Sequence, residues 1–295
     1  MVHTVAITGA NGNVGGAIAK HLVKAAADGK FNLVVYHREG KQPKALAGDN
    51  VEFRVFDLSD SPEKMASAIK GVNVFISAVG FGAVPSEPNV VQALSKSKDF
   101  VTYIPSFYST TWDDNDEKHP QIGPIVKYMH SGWDKAKEMG VAVTPVYVGN
   151  YENYWFGIGF GGSPLKENLV WANKKQLANK IPITLLDHVG TAVARIVSRD
   201  PESIKNKQFS AVTFWPTGDE LAELYGKLHG KKCNVKDFTE ADRDKLMADG
   251  ENFGPMKVGY FDRWQNNSWR YDQDGRIGEH QYSGDSLEET ARRFM

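Results

Sequence analysis

The stretch Val5-Ala6-Ile7-Thr8-Gly9-Ala10-Asn11-Gly12-Asn13-Val14-Gly15-Gly16 constrains this chain more than any other. Its first residues are small, apolar and partly β-branched, as a strand covered on both faces requires. Gly9, Gly12 and Gly15 follow at G-x-x-G-x-x-G spacing and run into a predicted helix over about 14–26. Gly9 suits a tight turn, Gly12 lets backbone approach a phosphate, and Gly15 lets the helix pack close to the strand. Asn11, Asn13 and Val14 complete a cradle in which the free N–H groups and positive dipole end of the helix face a pyrophosphate. A glycine turn without a ligand shares this composition, and the spacing departs from G-x-G-x-x-G. Its place at the first strand–helix junction is what points to a dinucleotide.

With 295 residues the chain can bury a full core in one large domain or two unequal lobes. Hydrophobic residues make up 41% and charged residues 24%, so an ordered globular protein is expected. The net charge of −1 gives no attraction to nucleic acid or to an anionic membrane. Cys233 is the single cysteine, which excludes an intramolecular disulfide and points to a reducing compartment. There is no signal-like segment and no apolar stretch of ~20 residues, so the expectation is a cytoplasmic protein, monomeric or homodimeric.

Strand candidates alternate with helices along the first half. Residues 31–36 end in His37-Arg38, where sites preferring NAD carry an acid for the ribose 2′-OH. Arg38 is placed to fork onto a 2′-phosphate, which predicts NADP, with a plain basic loop beside Glu39 as the alternative. The strand over 51–56 ends in Asp57, which either faces an adenine edge or caps a turn. The strand over 72–78 ends in Ser77-Ala78-Val79-Gly80, small enough for a cofactor to lie against. A helix over about 85–97 and a strand over 100–104 continue the alternation, the mark of an α/β, doubly wound parallel sheet with helices on both faces.

Four stretches carry a family likeness. They are Thr8-Gly9-Ala10-Asn11-Gly12-Asn13-Val14-Gly15, Ile104-Pro105-Ser106-Phe107-Tyr108, the Lys127 helix leading into 141–151, and Ile183-Thr184-Leu185-Leu186-Asp187-His188-Val189-Gly190. On these the chain resembles the NmrA-like, isoflavone-reductase-like branch of the atypical short-chain dehydrogenases/reductases, its fungal members in particular. The resemblance implies a Rossmann NADP-binding domain over 1–150, to which 183–200 return, and a smaller, interleaved α+β substrate lobe over 151–295. It also implies that Pro105, Ser106, Val148 and Asn150 line the cofactor cleft. Ordinary short-chain dehydrogenases place Tyr and Lys at Y-x-x-x-K, but here the residue four after Tyr128 is Gly132. In the resembled reductases a lysine near this helix start holds the nicotinamide ribose and assists proton transfer, a role that falls on Lys127. A desolvated lysine beside a cationic nicotinamide would act near neutral pH, and the ordinary alternative is a solvent-facing helix lysine. Relatives tend to carry an acid after Pro-Ser, where this chain has Phe107 and Tyr108. The Tyr108 hydroxyl can bind or protonate a substrate oxygen, or simply pack with its OH satisfied.

Residues 110–124 are polar and acidic and read as a surface loop able to cover the site, with Trp112 its apolar handle. After the sixth strand, 141–148, come Tyr151, Asn153, Tyr154 and Trp155. Such a run suits a planar, weakly polar substrate, or equally a core wedge between two lobes. His119, His130, Cys233 and His280 lack ligand spacing, so no metal is expected. Further on, Asp187 is read as capping a helix to 198 and Thr217 one to 228, while 253–282 shows little periodicity. The expected function is NADPH-dependent reduction of a small aromatic or natural-product intermediate. The alternatives are an NADP(H)-sensing regulator without turnover and a cofactor-retaining, non-redox cyclase or isomerase.

Overall fold

The computed structural model describes residues 2–112, 114–249, 253–271, 274–277 and 282–295, the Lys44 side chain apart. β1 (Thr4–Thr8), α1 (Asn13–Ala27), β2 (Asn32–His37), β3 (Val51–Val55), α2 (Pro62–Ala68), β4 (Val74–Ser77), α3 (Glu87–Leu94) and β5 (Thr102–Ile104) alternate along the chain. The strands form a parallel sheet in the order β3-β2-β1-β4-β5. Successive residues of each strand face opposite layers, and both layers are covered. Val5, Ile7, Leu33, Val35, Val74 and Ile76 pack toward α1. Ala6, Val34, Tyr36 and Phe75 pack on the other side, with Met65 of α2 and Val91 of α3.

α4 (Asp114–Lys118) and α5 (Gly123–Glu138) follow, and α5 packs on α3. The bonds from Tyr103 N to Ala142 O (2.9 Å) and from Thr144 N to Tyr103 O (2.8 Å) extend the sheet toward β6 (Val146–Val148). The strand expected over 141–148 is split here because Pro145 has no N–H to give a ladder.

β7 (Asn150–Tyr151), β8 (Leu169–Trp171) and α6 (Lys174–Ala178) lead to β9 (Ile183–Thr184), which pairs with β7. α7 (Leu186–Val197) and α8 (Pro201–Ile204) lead to β10 (Phe209–Ala211), parallel to β6. α9 (Gly218–His229), β11 (Asn234–Lys236), α10 (Glu240–Ala248), α11 (Gly254–Asn266), β12 (Gly275–Arg276) and α12 (Leu287–Arg292) complete the described elements.

α7 packs against α1, so the chain returns to the first layer after building part of the second. Gly190 makes this approach possible, since a Cβ there would sit 2.4 Å from Ala17 O. Asp187 does not cap α7. Its carboxylate turns to His21 Nε2 (2.9 Å), and Glu152 accepts from Leu186 N (3.2 Å) at the helix start instead. Thr217 does cap α9, in a reciprocal box with Glu220.

The second core gathers Trp155, Phe156, Leu221, Tyr225, Phe261 and Trp264. α11 is the element the aperiodic stretch conceals. Met256 and Tyr260 enter one apolar cluster while Phe261 and Trp264 enter another, so the helix is buried nearly all round and shows no single stripe. Residues 272–273 and 278–281 of that stretch lie outside the described residues. No described helix is long and apolar enough to cross a membrane.

Candidate functional site

The strand order reverses between β1 and β4, and ligands of such sheets bind beyond the carboxyl ends of the strands at that point. The glycine loop stands there. Gly9 has φ +85°, and a Cβ on it would lie 2.2 Å from Ala78 O; one on Gly15 would lie 2.1 Å from Gly9 O. Both glycines are therefore demanded by internal packing. Gly12 is different. It opens α1 with extended backbone, and its Cβ would meet only Gly9 O at 3.3 Å and Ala78 O at 3.9 Å. No side chain caps α1 and its first turn holds no acid, so the first N–H groups lack intrahelical partners. Asn11, Gly12 and Asn13 are exposed and Val14 is half-buried. This open cradle, which a side chain at position 12 would fill, fits a diphosphate.

Asn11 Nδ2 donates to Lys41 O (3.0 Å), and Lys41 N to Arg38 O (2.9 Å), which draws the loop after β2 to the glycine loop. Arg38 is exposed there, so its guanidinium can meet a phosphate beside the cradle. Asp57 closes a turn. Its Oδ1 accepts from Ser59 N (2.9 Å) and Ser59 Oγ (2.7 Å), bonds that hold the carboxyl below its ordinary range, with a smaller pull from Arg38.

The loops after β4 and β5 are tied together. Ser106 Oγ donates to Val79 O (2.8 Å) and Ser106 N to Glu87 Oε1 (3.0 Å). Glu87 is fully buried, and burial pushes its carboxyl above the usual range. Gly132 on α5 makes room for it, since a Cβ there would lie 2.7 Å from Glu87 Oε2. Sequence reasoning passed over Glu87, which reads as an ordinary acid in the first turn of a helix. Two expectations are corrected here. Ser77 has no exposed surface and sits in the interior rather than on a ligand face, and Val148 is a core residue. Pro105 is buried, while Ala78 and Val79 edge the glycine loop.

Beside this point opens a largely apolar cavity of about 490 Å³. Tyr108 and Ser109 enter it after β5, and Gly149, Asn150 and Tyr151 after β6. Asn150 is anchored through its Nδ2 to Pro182 O (3.2 Å). α5 supplies Ile125 and Met129, and α11 supplies Met256, Lys257 and Tyr260. Phe81, Tyr154, Ile158 and Phe253 form a rim of exposed apolar side chains. The Tyr108 hydroxyl is buried without a hydrogen-bond partner among the described residues. Burial, and secondarily the charge of Glu87, pushes its phenol far above the ordinary value, so it keeps its proton. Tyr151 OH donates to Tyr108 O (3.2 Å) and holds that backbone.

The structure corrects the sequence reading at five further positions. Lys127 does not reach the cavity: it lies about 200° around α5 from Ile125 and is exposed. Phe107 turns into the core, edge-on to His130 at 4.5 Å. Trp112 is buried behind the wall, under the Arg263 guanidinium (4.3 Å) and edge-on to Tyr260 (5.6 Å). Its segment packs against α11, with Asp116 paired to Arg263, rather than lying over the cavity; Asp113 lies outside the described residues. Trp155 is a core wedge against Trp264 (5.8 Å), and Asn153, whose Oδ1 accepts from Tyr154 N (3.0 Å), does not line the cavity. Among the described residues no three His, Cys, Asp or Glu side chains gather to hold a metal ion, and His280 lies outside them.

Residues 1–258 match the model of the NmrA-like family. The chain belongs to that family. No curated protein matches it in sequence. Among solved structures, the NmrA-like chain is similar to leucoanthocyanidin reductase from Vitis vinifera in binary complex with NADPH, with TM-score 0.77, 16% identity and 99% of each chain covered. It is similar to isoflavone reductase, with TM-score 0.76, 17% identity and 100% of each chain covered. It is also similar to the Citrobacter sp. triphenylmethane reductase complexed with NADP(H), with TM-score 0.67, 19% identity, and 99% of this chain and 100% of that one covered. At these identities the likeness is one of fold.

Proposed function

We propose that this NmrA-like chain binds NADP(H) over the β1–α1 loop and reduces a small, flat, largely apolar molecule held in the cavity. The observation that carries the proposal is the cavity itself. It has the size of small-molecule sites and stands beside the strand-order reversal that carries the glycine loop. Fold neighbours solved with NADPH or NADP(H) support the cofactor. Gly12 and the first turn of α1 hold the diphosphate, Arg38 holds the 2′-phosphate, and Ala78 and Val79 offer a small edge for the ring to lie along. The cofactor, when bound, supplies the hydride. Tyr108 orients the substrate: its phenol stays protonated, and its hydroxyl, turned from its buried position toward the cavity, donates a hydrogen bond to a substrate oxygen while solvent provides the proton. Lys127 takes no part, because its side chain leaves α5 on the opposite face.

A regulator that only senses NADP(H) needs no such cavity, which favours the enzyme. Calorimetric titration with NADPH and NADH, then NADPH oxidation against a panel of flat aromatic ketones, imines and conjugated alkenes, tests the proposal. The expected result is NADPH binding at least about tenfold tighter than NADH. One panel member should also consume NADPH at a rate that Tyr108→Phe lowers by about a hundredfold. No NADPH binding at millimolar concentration overturns the proposal. Product formed without NADPH consumption would assign the non-redox reading instead.

A further inference from the structure

We infer that the cavity selects a flat molecule bearing one anionic oxygen group, and that Lys257 is the residue that selects it. The inference rests on the reductase reading of the same cavity and names its substrate class. Among the described residues lining the cavity, Lys257 is the only one with a charged side chain. It is half-buried, and among the described residues it has no carboxylate partner. Its ammonium instead lies 5.8 Å from the centre of the Phe160 ring, on the cavity wall. Lys135, the other half-buried lysine among the described residues, is paired with Glu138 (2.8 Å).

The helix that carries Lys257 offers it no counter-charge at its own end. It sits just inside the N-terminus of α11, where the helix dipole is already positive. That terminus has no side-chain cap and its first turn holds no acid to offset the charge. Phe253, which opens the helix, is held at φ +56°, a left-handed conformation that bulky side chains avoid. In return its ring stands edge-on to Phe81 (5.4 Å) at the rim. A positive charge with no carboxylate partner among the described residues and a strained backbone thus meet on one lip of a cavity whose other described lining residues are uncharged, and such costs persist where binding uses them.

The rest of the wall agrees. Phe160, Tyr260 and Met129 present flat or pliable apolar surface for a ring system. Among the described residues no carboxylate lines the cavity, so a cationic ligand would meet no counter-charge from them. A neutral ligand would leave Lys257 unmatched.

The test compares two fluorescent probes of nearly the same shape: anionic 1-anilinonaphthalene-8-sulfonate and neutral N-phenyl-1-naphthylamine. Both are titrated into the full chain with and without NADP⁺. The expected result is that the wild type binds the anion about tenfold more tightly than the neutral probe, and that this preference weakens as salt is raised. Lys257→Met should remove the preference and its salt dependence, with the neutral probe held within about twofold, while Lys257→Arg should keep both. Thermal melts check that the variants are folded. A Lys257→Met protein that binds both probes as the wild type does, or loses both equally, overturns the inference. Separate calorimetry with NADPH tests the reductase reading, so the two can fail independently.

Discussion

Replacing Gly12 by alanine separates nucleotide binding from folding in the β1–α1 loop. The added Cβ would meet Gly9 O at 3.3 Å, which a shift of a few tenths of an ångström relieves, and the backbone there (φ −84°, ψ 171°) is open to any residue. Alanine is a poorer helix-opening residue than glycine by about 0.5–1 kcal/mol. A loss of unfolded-chain freedom returns about 0.4–1 kcal/mol. Stability should therefore change by less than about 1 kcal/mol. Binding should suffer more. A methyl group in the open cradle displaces at least one backbone N–H bond to a charged phosphate, worth about 1.5–3 kcal/mol, or roughly 10–150-fold in affinity. Gly9→Ala should behave the other way round. Its Cβ would lie 2.2 Å from Ala78 O and the residue would be held at φ +85°. The left-handed conformation costs about 1–2 kcal/mol and forcing the β1 and β4 ends apart about 1–3 kcal/mol more. A fall in melting temperature of roughly 3–8 °C follows for a chain of this length. Calorimetric titration with NADPH and thermal melts of both variants are the assays. The reasoning is refuted if Gly12→Ala binds NADPH as the wild type does, or if Gly9→Ala melts at the wild-type temperature.

Four more expectations follow from the same structure. Arg38→Ser should weaken NADPH by about tenfold or more and leave NADH nearly unchanged, since the charge-assisted bonds to a 2′-phosphate are all that it removes; equal losses for both nucleotides would count against the assignment. Lys127→Ala should leave melting temperature and turnover close to wild type because the side chain is exposed away from the cavity, and a hundredfold loss of turnover would restore the lysine to the chemistry. Glu87 has its carboxyl raised by burial, so its contribution to stability is complete below the ordinary carboxylate pKa and is lost as pH rises through the raised value. Glu87→Gln should flatten that decline in melting temperature above the ordinary carboxylate pKa, and a curve parallel to wild type would rule the cause out. Trp155→Ala should destabilise by about 3–5 kcal/mol by emptying the second core, while probe binding at the cavity persists at temperatures where the variant is folded.

The parts of this protein legible in advance are those whose cause is local. The β1–α1 loop is one. A buried strand, three glycines and an uncapped helix start each express backbone demands that neighbouring residues satisfy, and Gly9 and Gly15 meet those demands as their spacing implies. The Thr217–Glu220 box is another, because the capping bonds span only three residues. Strand alternation is a third, since a covered parallel sheet needs apolar residues on both faces.

Which residues meet in the cavity is a matter of packing between distant segments. Ile125 and Met129 share the inner face of α5 and Lys127 lies on the other, yet periodicity alone does not say which face turns inward. The aromatic run over 151–156 divides likewise, with Tyr151 and Tyr154 toward the cavity and Trp155 and Phe156 toward the second core. α11 leaves no stripe to read, because two cores compete for it from opposite sides, and it carries Lys257 to the wall. Side-chain direction in these segments follows from what is buried against them, and that depends on contacts formed across the whole chain.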